Sequence, residues 1–177
     1  FQRFFRFKAK ALGVERLRRY DLYAPLAEVE KTYAFDAAVQ MVDTAYRAFS
    51  STLADHAMRV LETEHLDGEV RPRKMDGAFC YGPLPTLTPW VQVNFQGRIQ
   101  DVSTLAHELG HAVHAMMAAD HSPLTFHSSL PMAETASVFG EMLLNDKLLA
   151  EETDPAVRRA LISTLLDNAY ATIVRQG

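Results

Sequence analysis

Apolar residues recur at helical spacing along the first third of the chain. A helix is expected up to about residue 11, before Gly13, and Pro25 predicts a turn. Residues 34 to about 49 predict an amphipathic helix, and the apolar stripe of this helix consists of Phe35, Ala38, Val39, Val42, Tyr46 and Phe49. Ser50 and Ser51 interrupt the pattern, and a further helix is expected over residues 52–64, ending near Asp67 and Gly68.

The pattern changes between residues 68 and 100, where proline and glycine are too dense for a helix. Two short strands are predicted, at residues 78–81 and 90–95. In the second strand Val91, Val93 and Phe95 alternate with polar residues, which is the period of a half-buried strand. Gln96 and Gly97 predict a turn. We therefore expect a small antiparallel sheet.

Helical patterning returns after residue 100. One helix is predicted over residues 101–120, with Asp101 or Ser103 as its cap. Ser129 can cap a helix that begins near residue 130, and the Asp154–Pro155 pair predicts the start of a last helix. The predicted fold is mainly α with a small antiparallel β-sheet, in a single unit of three segments: helical 1–67, strand and loop 68–100, and helices 101–177.

Composition narrows the class of protein. The chain has 177 residues, 48% of them hydrophobic, which suits one domain with a real core. A net charge of −4 gives no reason to expect nucleic acid, and no stretch approaches the roughly 20 apolar residues of a membrane span. Because Cys80 is the sole cysteine, an internal disulfide is excluded and a reducing, cytoplasmic location is expected. The chain starts at Phe1 rather than methionine, so we expect a piece of a longer protein.

The chemistry of the chain concentrates in His107-Glu108-Leu109-Gly110-His111, within the helix predicted over residues 101–120. Residues four apart lie one turn above each other, so His107 and His111 can direct two imidazole nitrogens at one Zn²⁺ ion. Glu108 is rotated by about 100° from His107 and would flank the metal as a general base for water. The surrounding residues are apolar, and burial of these polar groups without a partner would be costly.

A catalytic zinc site needs a third protein ligand. The candidates are His114, His121, His127, Glu134 and Glu141. His114 lies two turns above His107, too far to share one ion with both histidines. The metzincin zinc-peptidase pattern has glycine and histidine at the positions that His114 and Met117 occupy here, so the metzincin class is excluded.

Glu134 is favoured as the third ligand because it lies one turn into the next helix among small apolar residues. Glu141 follows two turns later on the same stripe. For Glu141, a role in orienting a ligating imidazole, an ordinary buried hydrogen bond and an exposed charge all stay open.

Longer motifs resemble a known family. TLAHELGHAVHA followed by MAETASVFGEMLL, FKAKALGVERLRRYDLYAPL at residues 7–26, RKMDGAFCYG at 73–82 and the PWVQVNFQG strand are similar to the oligoendopeptidase F branch of the thimet-oligopeptidase-like zinc metallopeptidases. The resemblance covers essentially the whole chain. It implies that His107, His111 and Glu134 ligate one zinc ion and that Glu108 is the general base and proton shuttle. Members of this family are several hundred residues long, so the chain corresponds to their central, zinc-bearing part.

The function implied by this resemblance is zinc-dependent endopeptidase activity on short, unstructured oligopeptides. Two alternatives stay open at this point. One is a zinc-binding chain that is catalytically incomplete, and the other is a metallocarboxypeptidase that shares the same histidine helix.

Overall fold

Helices make up most of the computed structural model, which describes residues 2–22, 24, 26, 31–171 and 173. Within these residues the elements in chain order are α1 (Gln2–Leu12), a 3₁₀ turn (Arg19–Asp21), α2 (Phe35–Phe49), α3 (Ser51–Glu62), β1 (Leu66–Asp67), β2 (Phe79–Tyr81), β3 (Trp90–Gln92), α4 (Ile99–Met117), α5 (Leu130–Glu151) and α6 (Pro155–Tyr170). The mainly helical class is confirmed. The turn predicted at Pro25 lies outside the described residues. In the part of the chain that is described, no helix is long and apolar enough to cross a membrane.

The chain forms two compact units, one of Phe1–Glu30 with Leu149–Gly177 and one of Lys31–Leu148. In the first unit the fully buried ammonium group of Lys8 on α1 lies 2.7 Å from both carboxylate oxygens of Asp167 on α6. It also donates to the carbonyl of Leu22. Because a buried ammonium group is tolerated only when it is paired, this contact determines how α1 and α6 pack.

The second unit is built on the apolar faces of α2, α3 and α4. The predicted stripe of α2 is buried at Ala38, Val42 and Tyr46. The hydroxyl of Ser50 accepts from the Leu53 amide and caps α3, so the predicted interruption at the serines is confirmed. On α4 the fully buried residues are Val102, Leu105, Ala106, Leu109 and Ala112.

The sheet has the order β1-β3-β2. The predicted antiparallel pair is confirmed, with Cys80 opposite Val91. The prediction for the end of α3 is wrong: the helix ends at Glu62, Glu64 takes a positive φ of 60°, and Leu66–Asp67 form a third strand parallel to β3. The cause is pairing across the sheet, because the carbonyls of His65, Asp67 and Gly68 accept the amides of Val91, Val93 and Phe95.

The histidine-bearing helix α4 begins at Ile99, two residues before the predicted start. Arg98 occupies the cap position, and the carboxylate of Asp101 accepts the amides of Gln96 and Arg98, both at 2.9 Å. Asp101 therefore stabilises the first turn from inside the helix, and Ser103 is a buried residue of the helix. The predicted turn is present at Gly97, where φ is 87°. The start of α6 matches its prediction, because Asp154 accepts the Ala156 amide at 2.7 Å.

The Tyr46 hydroxyl lies directly against Gly140. The Tyr46 hydroxyl is fully buried and donates to the carbonyl of Ala106 on α4 at 2.5 Å. A Cβ on Gly140 would lie 2.1 Å from that hydroxyl oxygen and 3.0 Å from the same carbonyl. Glycine is therefore required at this point of α5.

We predict that Gly140→Ala lowers the free energy of unfolding by about 1–3 kcal/mol, because the new methyl group overpacks the core. Tyr46→Phe removes the atom at 2.1 Å, so the double variant should lose clearly less than the sum of the two single losses. Urea unfolding of the wild type and the three variants measures this coupling. Strictly additive losses would contradict the contact.

Candidate functional site

Helix α4 presents three polar side chains on one face of the second unit. The rings of His107 and His111, one turn apart, have centroids 4.9 Å apart and are nearly perpendicular. Both side chains are partly buried, at 24% and 20% exposure. Glu108 follows His107 in the sequence and is buried, with 6% of its surface exposed. The local helical spacing that the sequence predicted for this motif is therefore present.

Helix α5 reaches this face because α4 has a glycine at the point of contact. A Cβ on Gly110 would lie 2.9 Å from the Ala136 carbonyl oxygen and 2.9 Å from the Cα of Ser137. The backbones of the two helices are thus in direct contact between the two histidines. Glu134, one turn earlier on α5, is carried to the imidazole pair by this contact.

Three donor atoms converge at this crossing. Oε2 of Glu134 lies 3.4 Å from Nε2 of His107 and 3.8 Å from Nε2 of His111. One ligand atom from each of the three residues lies within 4.8 Å of the others. Ligands at about 2.0–2.1 Å from a tetrahedral ion are about 3.4 Å apart, so the observed spacing fits one ion with little movement.

Glu141 contacts the opposite side of the His107 ring. Its Oε1 lies 2.5 Å from Nδ1 of His107. A carboxylate at this position holds the proton of a neutral imidazole on Nδ1 and leaves the lone pair on Nε2, facing Glu134. Of the alternatives left open by the sequence, the contact with a predicted ligand imidazole is the one observed.

The charges of the cluster change the pKa values of both histidines. Burial disfavours the charged form of His107, but the hydrogen bond and charge of Glu141, with Glu108 and Glu134, outweigh it and raise the pKa of this ring. Burial and the neighbouring His107 lower the pKa of His111. The pKa values of the two imidazoles are therefore shifted in opposite directions, and the hydrogen bond to Glu141 is the largest effect that raises the pKa of His107.

Glu108 has the properties of a proton-transfer group. Burial raises the pKa of its carboxyl group to about 7, and the charges of Glu134 and Glu141 add to the rise while His107 opposes it. A carboxyl group with a pKa near the working pH can both accept and deliver a proton. Its environment therefore suits the role that the motif predicts.

A cleft of about 500 Å³ opens over these groups. Helix α4 contributes His107, Glu108 and His111, and Glu134 of α5 lies on the same cleft. Residues of β2 form another wall, and the order of the sheet leaves one side of β2 without a neighbouring strand among the described residues. An exposed strand edge thus borders the donor cluster.

The remaining histidine candidates do not join the donor cluster. His114 and His127 line the cleft, and His121 is exposed in the turn after α4. Among the described residues the set of three convergent donors is His107, His111 and Glu134. Ser137 was not predicted from the sequence, and its hydroxyl donates to Oε2 of Glu134 at 2.9 Å. The three-residue spacing of Glu134 and Ser137 places both side chains on one face of α5, and this spacing could have indicated the contact.

Comparison with known proteins identifies the family of the chain. Peptidase family M3 matches the chain over residues 1–177. The chain belongs to this family. This M3 chain is 29% identical to the group B oligopeptidase PepB of Streptococcus agalactiae over 98% of its own length. It is also 29% identical to the oligopeptidase PepF of Bacillus subtilis, again over 98% of its length.

Solved structures share the fold of this M3 chain. A candidate peptidase from Chlamydophila abortus superimposes with a TM-score of 0.84 at 31% identity, covering 99% of the chain and 29% of that protein. PZ peptidase A with an inhibitor gives a TM-score of 0.76 at 20% identity over 94% of the chain, which shows the fold alone. The resemblance to the oligoendopeptidase F branch is confirmed by several oligoendopeptidase F homologues, one of them from Lactococcus lactis. The chain spans 29% of the length of PepB and 26% of the length of PepF.

Cys80 on β2 provides a test of the environment of Glu108 in the M3 chain. Burial raises the pKa of the Cys80 thiol to about 12, and the charge of Glu108 adds to this rise. At pH 8 about one thiol in ten thousand would be ionised, so we predict alkylation by iodoacetamide at least about 100-fold slower than in the urea-unfolded chain. The reaction should become faster toward pH 11, and Glu108→Gln should accelerate it at pH 8 because a nearby negative charge is removed.

Mass spectrometry of the metal-free protein over time measures this alkylation. A native rate equal to that of the unfolded chain would contradict the partial burial of Cys80 and the raised pKa of its thiol. An unchanged rate in Glu108→Gln would contradict its proximity to that carboxylate.

Proposed function

We propose that this chain carries the metal site and the proton-transfer group of a zinc-dependent endopeptidase that cleaves short, unstructured oligopeptides. The observation that carries the proposal is the convergence of two imidazole nitrogens and a carboxylate oxygen beside the buried carboxyl group of Glu108. Membership of peptidase family M3 supports the reaction class. Because the chain spans less than a third of its relatives' length, the activity of the whole protein belongs to the proposal.

The donor set supports zinc as the ion. Two nitrogens and one carboxylate oxygen are a known zinc set in peptidases, and three protein ligands leave one position open. His107, His111 and Glu134 would hold the ion, and Glu141 would keep the His107 ring in its ligating orientation. When bound there, zinc would supply a Lewis acid that acidifies water and polarises a peptide carbonyl.

Glu108 would transfer the proton in this reaction. Its carboxylate accepts a proton from the attacking water and then delivers it to the leaving amine. The buried position and the pKa of about 7 both support this role, since a fully exposed glutamate would be a weaker base near neutral pH. Glu108 faces the cleft alongside both histidines.

The edge of β2 would hold the substrate. An extended peptide can pair with an unoccupied strand edge through main-chain hydrogen bonds, which place little demand on its sequence. Phe79 and Tyr81 are exposed on this strand, at 39% and 59%. A purely structural edge strand is the competing interpretation. A cytoplasmic location is part of the same proposal, and it is supported by the single, unpaired Cys80.

Metal binding tests the predicted ligands directly. Equilibrium dialysis of the chain against zinc should give one ion per wild-type chain. Glu134→Ala should weaken binding by more than about 100-fold, because loss of even an outer-shell partner costs 10–100-fold. Glu62→Ala, at an exposed position on α3, is the matched control and should bind as the wild type does. Equal binding by both variants would remove Glu134 from the ligand set.

Glu108→Gln separates chemistry from metal binding. It should keep one zinc ion per chain and lower the cleavage rate by about 10²–10⁴-fold, because the amide cannot accept the proton. A fluorescence-quenched peptide blocked at both ends measures endopeptidase cleavage, with Glu62→Gln as the control. Zinc binding without cleavage by the wild type would favour the catalytically incomplete alternative. Cleavage restricted to peptides with a free C-terminus would favour a carboxypeptidase.

A further inference from the structure

We infer that Ser137 is a positioning residue whose buried hydroxyl holds the Glu134 carboxylate in the orientation that binds the metal ion. This inference deepens the proposed function and rests on it. It concerns a residue that does not itself contact the ion.

The hydroxyl of Ser137 contacts the Glu134 oxygen that is predicted to bind the metal ion. It is 2.9 Å from Oε2 of Glu134, the same oxygen that faces Nε2 of both His107 and His111. An ionised carboxylate oxygen can accept this hydrogen bond and still offer a lone pair to a cation. The bond therefore orients the ligand without blocking it.

Glu134 benefits from such a partner because its side chain is partly exposed. It is 38% exposed, and its ion pairs among the described residues are with the two histidines. A flexible glutamate loses rotamer freedom when it binds an ion. A hydrogen bond that already holds the carboxylate reduces this loss, which is the general advantage of preorganised ligands.

The serine itself is held in place by the backbone. Ser137 is fully buried, and its Cα occupies the contact with Gly110 between the two histidines. The position of the hydroxyl is thus tied to the helix that carries the imidazoles.

A serine in a helix often donates to the carbonyl of an earlier turn, and Ser137 also lies 3.0 Å from the Glu134 carbonyl oxygen. Both acceptors belong to Glu134. The carboxylate is charged and therefore the stronger acceptor, so the bond to the side chain is the one that carries the inference.

The test compares zinc affinity with metal-free stability. Ser137→Ala should lower zinc affinity by about 10–100-fold, measured by competition with a chromophoric chelator at one pH. Its metal-free melting temperature should stay near that of the wild type, because alanine fits the same space and favours the helix. Ser163→Ala, another buried serine in a helix, is the matched control and should leave zinc affinity unchanged.

A double-mutant cycle distinguishes positioning from packing. In the Glu134→Ala background, Ser137→Ala should cause no further loss of zinc affinity, because the ligand that it positions is absent. A further loss in that background would overturn the inference. A fall in metal-free stability that accounts for the whole loss of affinity would also overturn it.

The same binding measurements distinguish a failure of the proposed metal site from a failure of the inference about Ser137. If the wild type bound no zinc, or if Glu134→Ala bound it normally, the metal site itself would be wrong. If those two behaved as expected and Ser137→Ala bound zinc within about twofold of the wild type, only the role of Ser137 would be overturned.

Discussion

The candidate site depends on the direct backbone contact between α4 and α5. Packed helix axes usually lie 8–10 Å apart, at a distance set by the side chains between them. Here Gly110 on α4 and Gly140 on α5 remove those side chains, and a Cβ at either position would lie within about 3 Å of the other helix's backbone. This short separation brings a glutamate of medium length to two histidines on a neighbouring helix. With ordinary residues at the crossing, the same donors would be too far apart to share an ion.

The core of the second unit contacts α4 next to this helix crossing. Tyr46 extends from α2 and donates to the carbonyl of Ala106, the residue before His107. Burial and the charge of Glu141 both raise the pKa of this phenol, so the hydroxyl stays protonated and remains a donor. Tyr46 therefore connects the apolar core to the residue next to His107, and Glu141 contacts the ring of that histidine from α5. Stability and site geometry share the same contacts in this part of the molecule.

Features of the site that depend on residues close together in the chain could be predicted from the sequence. The His107–His111 pair follows from one turn of helix, and the position of Glu134 follows from the next helix, whose start was predicted near Ser129. The strand β1 could not be predicted, because two residues are too few to show a period and their pairing with Val91 and Gln92 depends on a distant part of the chain. Ser137 was missed for a different reason: a serine within a helix has an ordinary interpretation, and only coordinates show which acceptor it faces. The partner of Glu141 was left open because its position on the helix is compatible with several contacts.

The spacing of the donors along the chain has a consequence for the energetics of folding. His111 and Glu134 lie on either side of the turn between α4 and α5, so an ion bound by both would cross-link the two helices. The unfolded chain does not hold these donors together, so such an ion binds the native state. It therefore favours the native state by an amount that grows with the free ion concentration. Resistance of this unit to heat and to proteolysis would then report the supply of metal available to the protein.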